Sequence, residues 1–166
     1  MQKSNQYKFL QQQGFSAISD ENAKTHYNAL LFQPIIVGAA MLVAIITQSA
    51  LLFLLFSFLL WINTLFPAAN PFERIYDVTI GKLRGQAKLE PAPAPRRFMQ
   101  GMAASLMFVA GLAVLFGYTL IAYVVQAFIA VAFSMLLFGQ FCVGAYLYHV
   151  LKGNRHFANQ TCPWSK

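Results

Sequence analysis

The stretch ALLFQPIIVGAAMLVAIITQSALLFLLFSFLLWINTLF, residues 29–66, contains no aspartate, glutamate, lysine or arginine. It divides into two apolar segments, at about 29–47 and 50–66, which are separated by the polar pair Gln48 and Ser49. An α-helix rises about 1.5 Å per residue, so each segment is close to the roughly 17–25 residues that cross about 30 Å of hydrocarbon. The stretch therefore predicts a hairpin of two membrane-spanning helices.

A second hairpin is predicted over residues 98–151. Its first apolar segment is at about 98–118, and its second lies inside 120–151, where we place the helix in the later two thirds. These segments also lack acidic and basic residues. The predicted fold class is therefore an all-α membrane protein with four transmembrane helices in a single domain.

The composition of the whole chain agrees with a membrane location. Of its 166 residues, 58% are hydrophobic and only 10% are charged, whereas a soluble domain has about 25% charged residues. The net charge is +7, but the basic residues are dispersed and form no recognition motif, which argues against nucleic acid as a partner. The expected partners are the lipid bilayer and other membrane-protein subunits.

The positions of the twelve basic residues predict the orientation. Three precede the first apolar segment, six lie between the second and third, and three follow the fourth. The short connections near 47–49 and 117–119 have none. Because lysine and arginine favour the cytoplasmic side, segments 1–28, 67–97 and 152–166 are expected there. The predicted location is the bacterial inner membrane, with both termini in the cytoplasm.

The central segment 67–97 contains its own helix signal, NPFERIYDVTIGKLRG, at residues 70–85. Asn70 is suited to cap the helix and Pro71 to begin it. The pattern predicts an amphipathic helix on the membrane surface, and docking of a soluble partner is an open alternative. The residues assigned to this helix are Phe72, Ile75, Tyr76, Ile80 and Leu83 on the apolar side, with Lys82 and Arg84 at the C-terminal end.

Polar residues in or near the predicted spans are few. The strongest are Gln48, Asn63, Gln126 and Gln140. Since amides in membrane helices commonly bond to neighbouring helices, we interpret these four as packing residues.

Two cysteines and two histidines are the candidates for chemistry. Cys142 is predicted to lie two to three turns inside the end of the fourth helix, and Cys162 lies in the tail; they are either inert thiols or a redox or sulfur-relay pair. His26 and His149 fall near the cytoplasmic ends of the first and fourth helices, where they are candidates for haem or metal ligands. Nothing fixes that pairing, so no cofactor and no metal site are predicted.

Four segments resemble a bacterial membrane family known only as a domain of unknown function, number four-three-nine-five. They are SDENAKTHYNAL at 19–30, NPFERIY at 70–76, PRRFMQGMAASLMFVAG at 95–111 and FGQFCVGAYLYHVL at 138–151. The resemblance implies four helices. Relatives are sometimes found beside thioredoxin-like or sulfurtransferase proteins, which points to thiol chemistry in the family. Many relatives have a second cysteine at the position of Ala145, so this chain retains Cys142 alone from that motif.

The predicted function is that of a non-catalytic accessory or scaffold subunit of a larger membrane complex. Two alternatives remain open at this stage. One is a membrane thiol-redox or sulfur-relay protein that uses Cys142 and Cys162. The other is a small transporter or channel component.

Overall fold

The computed structural model of the chain describes residues 5–15, 23–83 and 91–162. Within these ranges the regular elements are helical. They are α1 (Asn5–Gln12), α2 (Ala23–Thr47), α3 (Ala50–Leu65), α4 (Pro71–Tyr76), α5 (Ala94–Leu115), α6 (Thr119–Leu137), α7 (Val143–Leu151) and α8 (Arg155–Gln160), with a 3-10 turn at Pro67–Ala69 and a π-helical turn at Asp77–Gly81.

Three helices are long and apolar enough to cross a membrane, namely His26–Thr47 within α2, α5 and α6. The apolar helix α3 has 16 residues and is shorter than the usual span. The all-helical fold is therefore confirmed for the described residues, with three helices that are long and apolar enough to span a membrane.

The core of the bundle forms where α3, α5, α2 and α6 meet. Small residues on α5 allow close contact with α3: a Cβ atom added at Gly111 would lie 2.9 Å from the side chain of Leu54. Ser57 of α3 donates a hydrogen bond of 2.8 Å to the carbonyl oxygen of Ala104. The most buried apolar residues of this core are Val37, Met41, Ala44, Phe53, Leu60, Ala104, Met107, Ala110 and Ile129.

The turn between α2 and α3 is tied to α6 by an amide pair. Gln48 donates to Gln126 Oε1 at 3.0 Å, and Gln126 donates back to Gln48 Oε1 at 3.1 Å. The interpretation of these two glutamines as packing residues is therefore confirmed. Asn63 is fully buried, but neither of its side-chain polar atoms has a hydrogen-bond partner among the described residues.

The predicted position of the fourth helix is wrong. The long helix α6 begins at Thr119 and ends at Leu137, so it occupies the earlier part of 120–151, and the chain is non-helical until α7 begins at Val143. Gln140 has a φ of +51°, which an α-helix does not accommodate. Cys142 is consequently the N-cap of α7 and not a residue inside a continuous helix.

The predicted start of the third helix is also wrong, because α5 begins at Ala94 and not near residue 98. Pro95 is tolerated in the first turn, where its missing N–H would have no intrahelical partner. Arg96 and Arg97 therefore belong to the helix. Arg97 is exposed, whereas Arg96 is only 1% exposed, so the expectation that the spans lack basic residues does not hold.

The helix predicted after residue 70 is present, and Asn70 caps it by accepting a 3.0 Å hydrogen bond from the Phe72 amide. Its apolar residues, however, do not form one face toward the membrane surface. Phe72 and Tyr76 are buried against the bundle, while Ile75 and Leu83 are exposed. Of the other residues assigned to this helix, Ile80 is half-buried and Lys82 is exposed, while Arg84 lies outside the described residues.

Candidate functional site

Arg96 occupies the interior of one end of the bundle, where α1, α2, α4 and α5 come together. Its guanidinium donates to Gln13 Oε1 at 2.7 Å, to the Leu30 carbonyl oxygen at 3.4 Å and to Gln33 Oε1 at 3.4 Å. A buried positive charge is costly unless it is paired and hydrogen-bonded. These contacts explain how the fold tolerates the arginine at this depth.

The amide oxygen of Gln33 joins three elements of the site. Besides Arg96, it accepts hydrogen bonds from Gln100 Nε2 at 3.1 Å and from Asn70 Nδ2 at 3.3 Å. One acceptor on α2 therefore holds two residues of α5 and the N-cap of α4 in place.

Glu73 of α4 supplies the negative charge nearest to Arg96, with 3.9 Å between Glu73 Oε1 and Arg96 Nη2. Burial raises the pKa of this carboxyl above its usual range, although the Arg96 charge and a hydrogen bond with Asn70 oppose that shift. The pair is held at the limit of an ion-pair distance, so the arginine is only partly neutralised.

Several buried polar atoms of this end lack a hydrogen-bond partner among the described residues. Those on α5 are Arg96 Nε, a donor, and Gln100 Oε1, an acceptor. Both residues are at most 2% exposed and stand four positions apart, on the same face of the helix. Buried polar groups are nearly always hydrogen-bonded to protein, water or a ligand. These two atoms are therefore available to a bound water molecule or a polar ligand.

A cavity of about 70 Å³ is bordered by these two residues and Gln33. Its other walls are almost entirely apolar and come from α2, α5, α6 and the start of α7. The residues that line it include Ala132, Met99, Cys142, Val143 and Gly144. The cavity therefore has a polar end at Arg96 and an apolar body.

The break between α6 and α7 closes one side of this cavity. Cys142 caps α7 by accepting a 3.4 Å hydrogen bond from the Ala145 amide, and its own amide donates to Gln12 Oε1 at 3.0 Å. Its sulfur also lies 2.8 Å from the Met99 sulfur. Because a helix N-terminus carries a partial positive charge, the start of α7 adds to the positive field of Arg96.

Cys142 is therefore a structural thiol in this fold. Burial raises its pKa to about 11, and the shift is only partly opposed by the Ala145 and Gly144 amides and the Arg96 charge. The thiolate is the nucleophilic form of cysteine, so a pKa this high disfavours redox chemistry at neutral pH. Cys162 is partly exposed after α8, and both cysteines are thiols in the structure. Ala145, at the position where many relatives have a second cysteine, is fully buried beside the cap.

The two candidate histidines, His149 and His26, lie in different surroundings. His149 of α7 is buried, with its Nε2 atom 2.9 Å from the Gln12 carbonyl oxygen and its ring against Phe157. It thus ties α7 to α1 and α8. His26 lies at the start of the span within α2 and is half-buried. In the described part of the chain, no group of three or more His, Cys, Asp or Glu residues is arranged to hold a metal ion.

Sequence reasoning missed the central residues of this site. Arg96 and Glu73 were assigned to a cytoplasmic loop and a surface helix, and Gln33 and Gln100 were not singled out. The signal available for Arg96 was Pro95, since a proline directly before a helical pattern is typical of the first helical turn. No sequence signal points to the contact between Arg96 and Glu73, which are separated by more than twenty residues and belong to different helices.

These features define a class: an all-helical protein with three helices that are long and apolar enough to span a membrane, and with a buried, charged polar site at one end of the bundle. The family model "Domain of unknown function (DUF4395)" matches residues 27–152, and the chain belongs to that family. The resemblance noted in the sequence is thereby confirmed. No curated protein and no solved structure matches the chain significantly.

Replacing Arg96 tests its role in holding this end together. R96M removes the donor to Gln13 Oε1, one of the three donors to Gln33 Oε1 and the positive charge beside Glu73. We therefore expect a loss of about 3–5 kcal/mol in the free energy of unfolding. The matched control is R97M, which removes an exposed arginine and is expected to cost under about 1 kcal/mol. Thermal unfolding of both variants in mild detergent measures the difference. Equal melting temperatures would contradict the central role of Arg96.

The high pKa of Cys142 predicts how the two thiols react with a maleimide. With a pKa of about 11, roughly one molecule in 10⁴ carries the thiolate at pH 7, and that fraction rises about tenfold per pH unit up to the pKa. We expect C162S, which retains only Cys142, to be labelled slowly and with this pH slope. C142S should be labelled much faster through the partly exposed Cys162. Mass spectrometry measures the labelling rate of each variant. In denaturant, the two variants should be labelled at equal rates.

Proposed function

We propose that this chain is a protein of the bacterial inner membrane that crosses the bilayer four times, with α3 as the fourth crossing element. The distribution of basic residues supports a cytoplasmic location for both termini and for residues 67–97. The buried arginine site then lies at the cytoplasmic end of the bundle.

We further propose that the protein binds a small acid inside this end, as the solute-binding component of a small transporter. The observation that carries the proposal is the pair of unsatisfied atoms, Arg96 Nε and Gln100 Oε1, in residues that border one cavity. Ionisable residues in membrane helices commonly mark solute paths. Interrupted helices whose N-termini face a site are a recurring device for binding anionic groups in transporters.

The dimensions of the cavity restrict the solute. A cavity volume of about 70 Å³ has room for a few water molecules, so the solute has only a few non-hydrogen atoms. A small carboxylic acid such as acetic acid meets the other requirements. One oxygen accepts from Arg96 Nε, the protonated oxygen donates to Gln100 Oε1, and the methyl group faces the apolar walls. A small amine would place a second positive charge beside Arg96 and the start of α7, so this field favours the neutral acid over an ammonium ion.

Because the bound form is the protonated acid, acetate is expected to stabilise the purified protein more strongly at about pH 5 than at neutral pH. At about 100 times its Kd, a ligand specific to the folded state adds about 2.7 kcal/mol, which corresponds to a rise in Tm of about 5 °C or more. A132F places a phenyl ring at the cavity wall and should abolish the shift. A127F adds the same ring at an exposed position of the same helix and should preserve it. Sodium chloride at equal ionic strength is the reference.

The proposal fails if acetate raises Tm no more than chloride does, or if acetate changes the Tm of A132F and A127F equally. Uptake of radiolabelled acetate by proteoliposomes then distinguishes binding from transport. Binding without uptake would retain the site and remove the transporter role.

A role as a non-catalytic accessory subunit is the second candidate, and one observation favours it. The surface around the polar end presents exposed basic side chains from several elements, on α4, α5, the turn after α7, and α8. Such a surface suits a partner with an acidic face. These residues are Arg74, Arg97, Lys152 and Arg155.

This second role predicts that a defined partner co-purifies with the protein in mild detergent. Because the contact is electrostatic, the partner should be retained at low salt and released near 0.5–1 M salt, where the Debye length falls to a few ångströms. The double variant K152Q/R155Q should lose it, while A127F on the far side of α6 should not. Recovery of the chain alone at low salt would contradict the accessory role.

A further inference from the structure

A continuous groove runs along the outer face of the bundle between α3 and α5. It consists of two adjoining hollows, which share Trp61 and Ser105. One hollow extends toward Arg97 and the other toward Val109. The groove lies on the opposite side of Met102 from the buried arginine cavity, since this residue borders both.

The length of the groove matches one membrane leaflet. From Arg97 to Val109 the groove follows about twelve residues of α5, or about 18 Å at 1.5 Å per residue. Half of a hydrocarbon core of about 30 Å is about 15 Å. A single extended acyl chain therefore reaches from one end of the groove to the other.

The cross-section of the groove suits an acyl chain. Its sides are formed by exposed aromatic residues, with Phe58 63%, Phe108 48% and Trp61 39% exposed. The wall provided by α5 is low because Gly101 has no side chain and Ser105 folds its hydroxyl back to the Gly101 carbonyl oxygen at 2.9 Å. The result is an apolar channel with no charged residue between its two ends.

One end of the groove is positively charged. Arg97 is exposed there and is oriented by a 2.9 Å hydrogen bond from its Nε atom to the Thr64 carbonyl oxygen. That bond uses one of the five N–H donors of the guanidinium, so the others remain able to bind an anion. Arginine recognises phosphate oxygens through such paired donors.

We propose that this groove is a specific site for an anionic phospholipid, with its phosphate at Arg97 and one acyl chain between α3 and α5. The charge at one end and the leaflet-length apolar channel together favour a lipid over a helix of a partner protein. Basic positions at the cytoplasmic ends of membrane helices are typical sites for acidic headgroups. The inference rests on the proposed membrane insertion but not on the acid-binding site.

Native mass spectrometry of the full chain in mild detergent, titrated with phosphatidylglycerol or phosphatidylcholine of identical acyl chains, tests the site. We expect the first phosphatidylglycerol to bind more tightly than phosphatidylcholine, and R97Q to reduce that preference about fivefold. S105L fills the groove where the two hollows meet and should weaken binding of both lipids. Glycerol phosphate without acyl chains should not compete.

Matched controls separate the groove from general effects. R155Q removes an equally exposed arginine on α8 and should leave the preference intact. S134L alters an exposed serine of α6 that, like Ser105, bonds to the carbonyl oxygen four residues earlier. It should leave lipid binding unchanged. R155Q changes the net charge by the same amount as R97Q, and S134L adds the same side-chain volume as S105L. A general loss of folding therefore cannot reproduce the expected pattern.

Three results would overturn the inference: equal affinity for both lipids, an unchanged preference in R97Q, or a change of oligomeric state instead of lipid binding in S105L. The last result would assign the groove to a second copy of the chain. Membrane insertion is measured separately, by the accessibility of Cys162 in the C142S variant from each side of intact and inverted vesicles. Equal labelling of Cys162 from both sides would refute membrane insertion. A negative lipid titration would refute only the proposed lipid site in the groove.

Discussion

The hydrogen-bonded burial of Arg96 is the constraint on which one whole end of this bundle depends. A guanidinium that is 1% exposed must be surrounded by acceptors, and the fold supplies them from three separate elements: Gln13 beyond α1, Leu30 and Gln33 on α2, and Glu73 on α4. The arginine network acts together with apolar contacts. Phe9 of α1 packs against Tyr27 of α2, and Tyr76 of α4 packs against Phe32 of α2.

The same arrangement leaves some buried donors and acceptors without hydrogen-bond partners among the described residues. A structural arginine needs every N–H satisfied, yet Arg96 Nε and Gln100 Oε1 remain without partners beside a cavity. Cys142 contributes to the same region as a helix cap. Its pKa of about 11 makes it a poor nucleophile, so the thiol-relay hypothesis has less physical support than the binding of a small solute.

The cavity and the outer groove differ in the kind of guest that each can accommodate. The cavity is partly open and has room for only a few non-hydrogen atoms, with a buried charge at its polar end. The groove lies on the exposed outer side of α3 and α5, and its exposed Arg97 can bind an anion while still in contact with water. Adjacent arginines thus serve different environments, because consecutive residues of a helix point about 100° apart.

The amino-acid sequence by itself determined the physical class of the protein. Apolar segments near 29–47, 50–66 and 98–118 correspond to α2, α3 and α5, since burial in hydrocarbon depends on local composition and length. Gln48 and Asn70 were also placed correctly, because turns and caps depend on neighbouring residues. Only the tertiary structure decided the break before α7, the inward direction of Arg96 and its pairing with Glu73. These features depend on contacts between residues far apart in the chain, which no local pattern encodes.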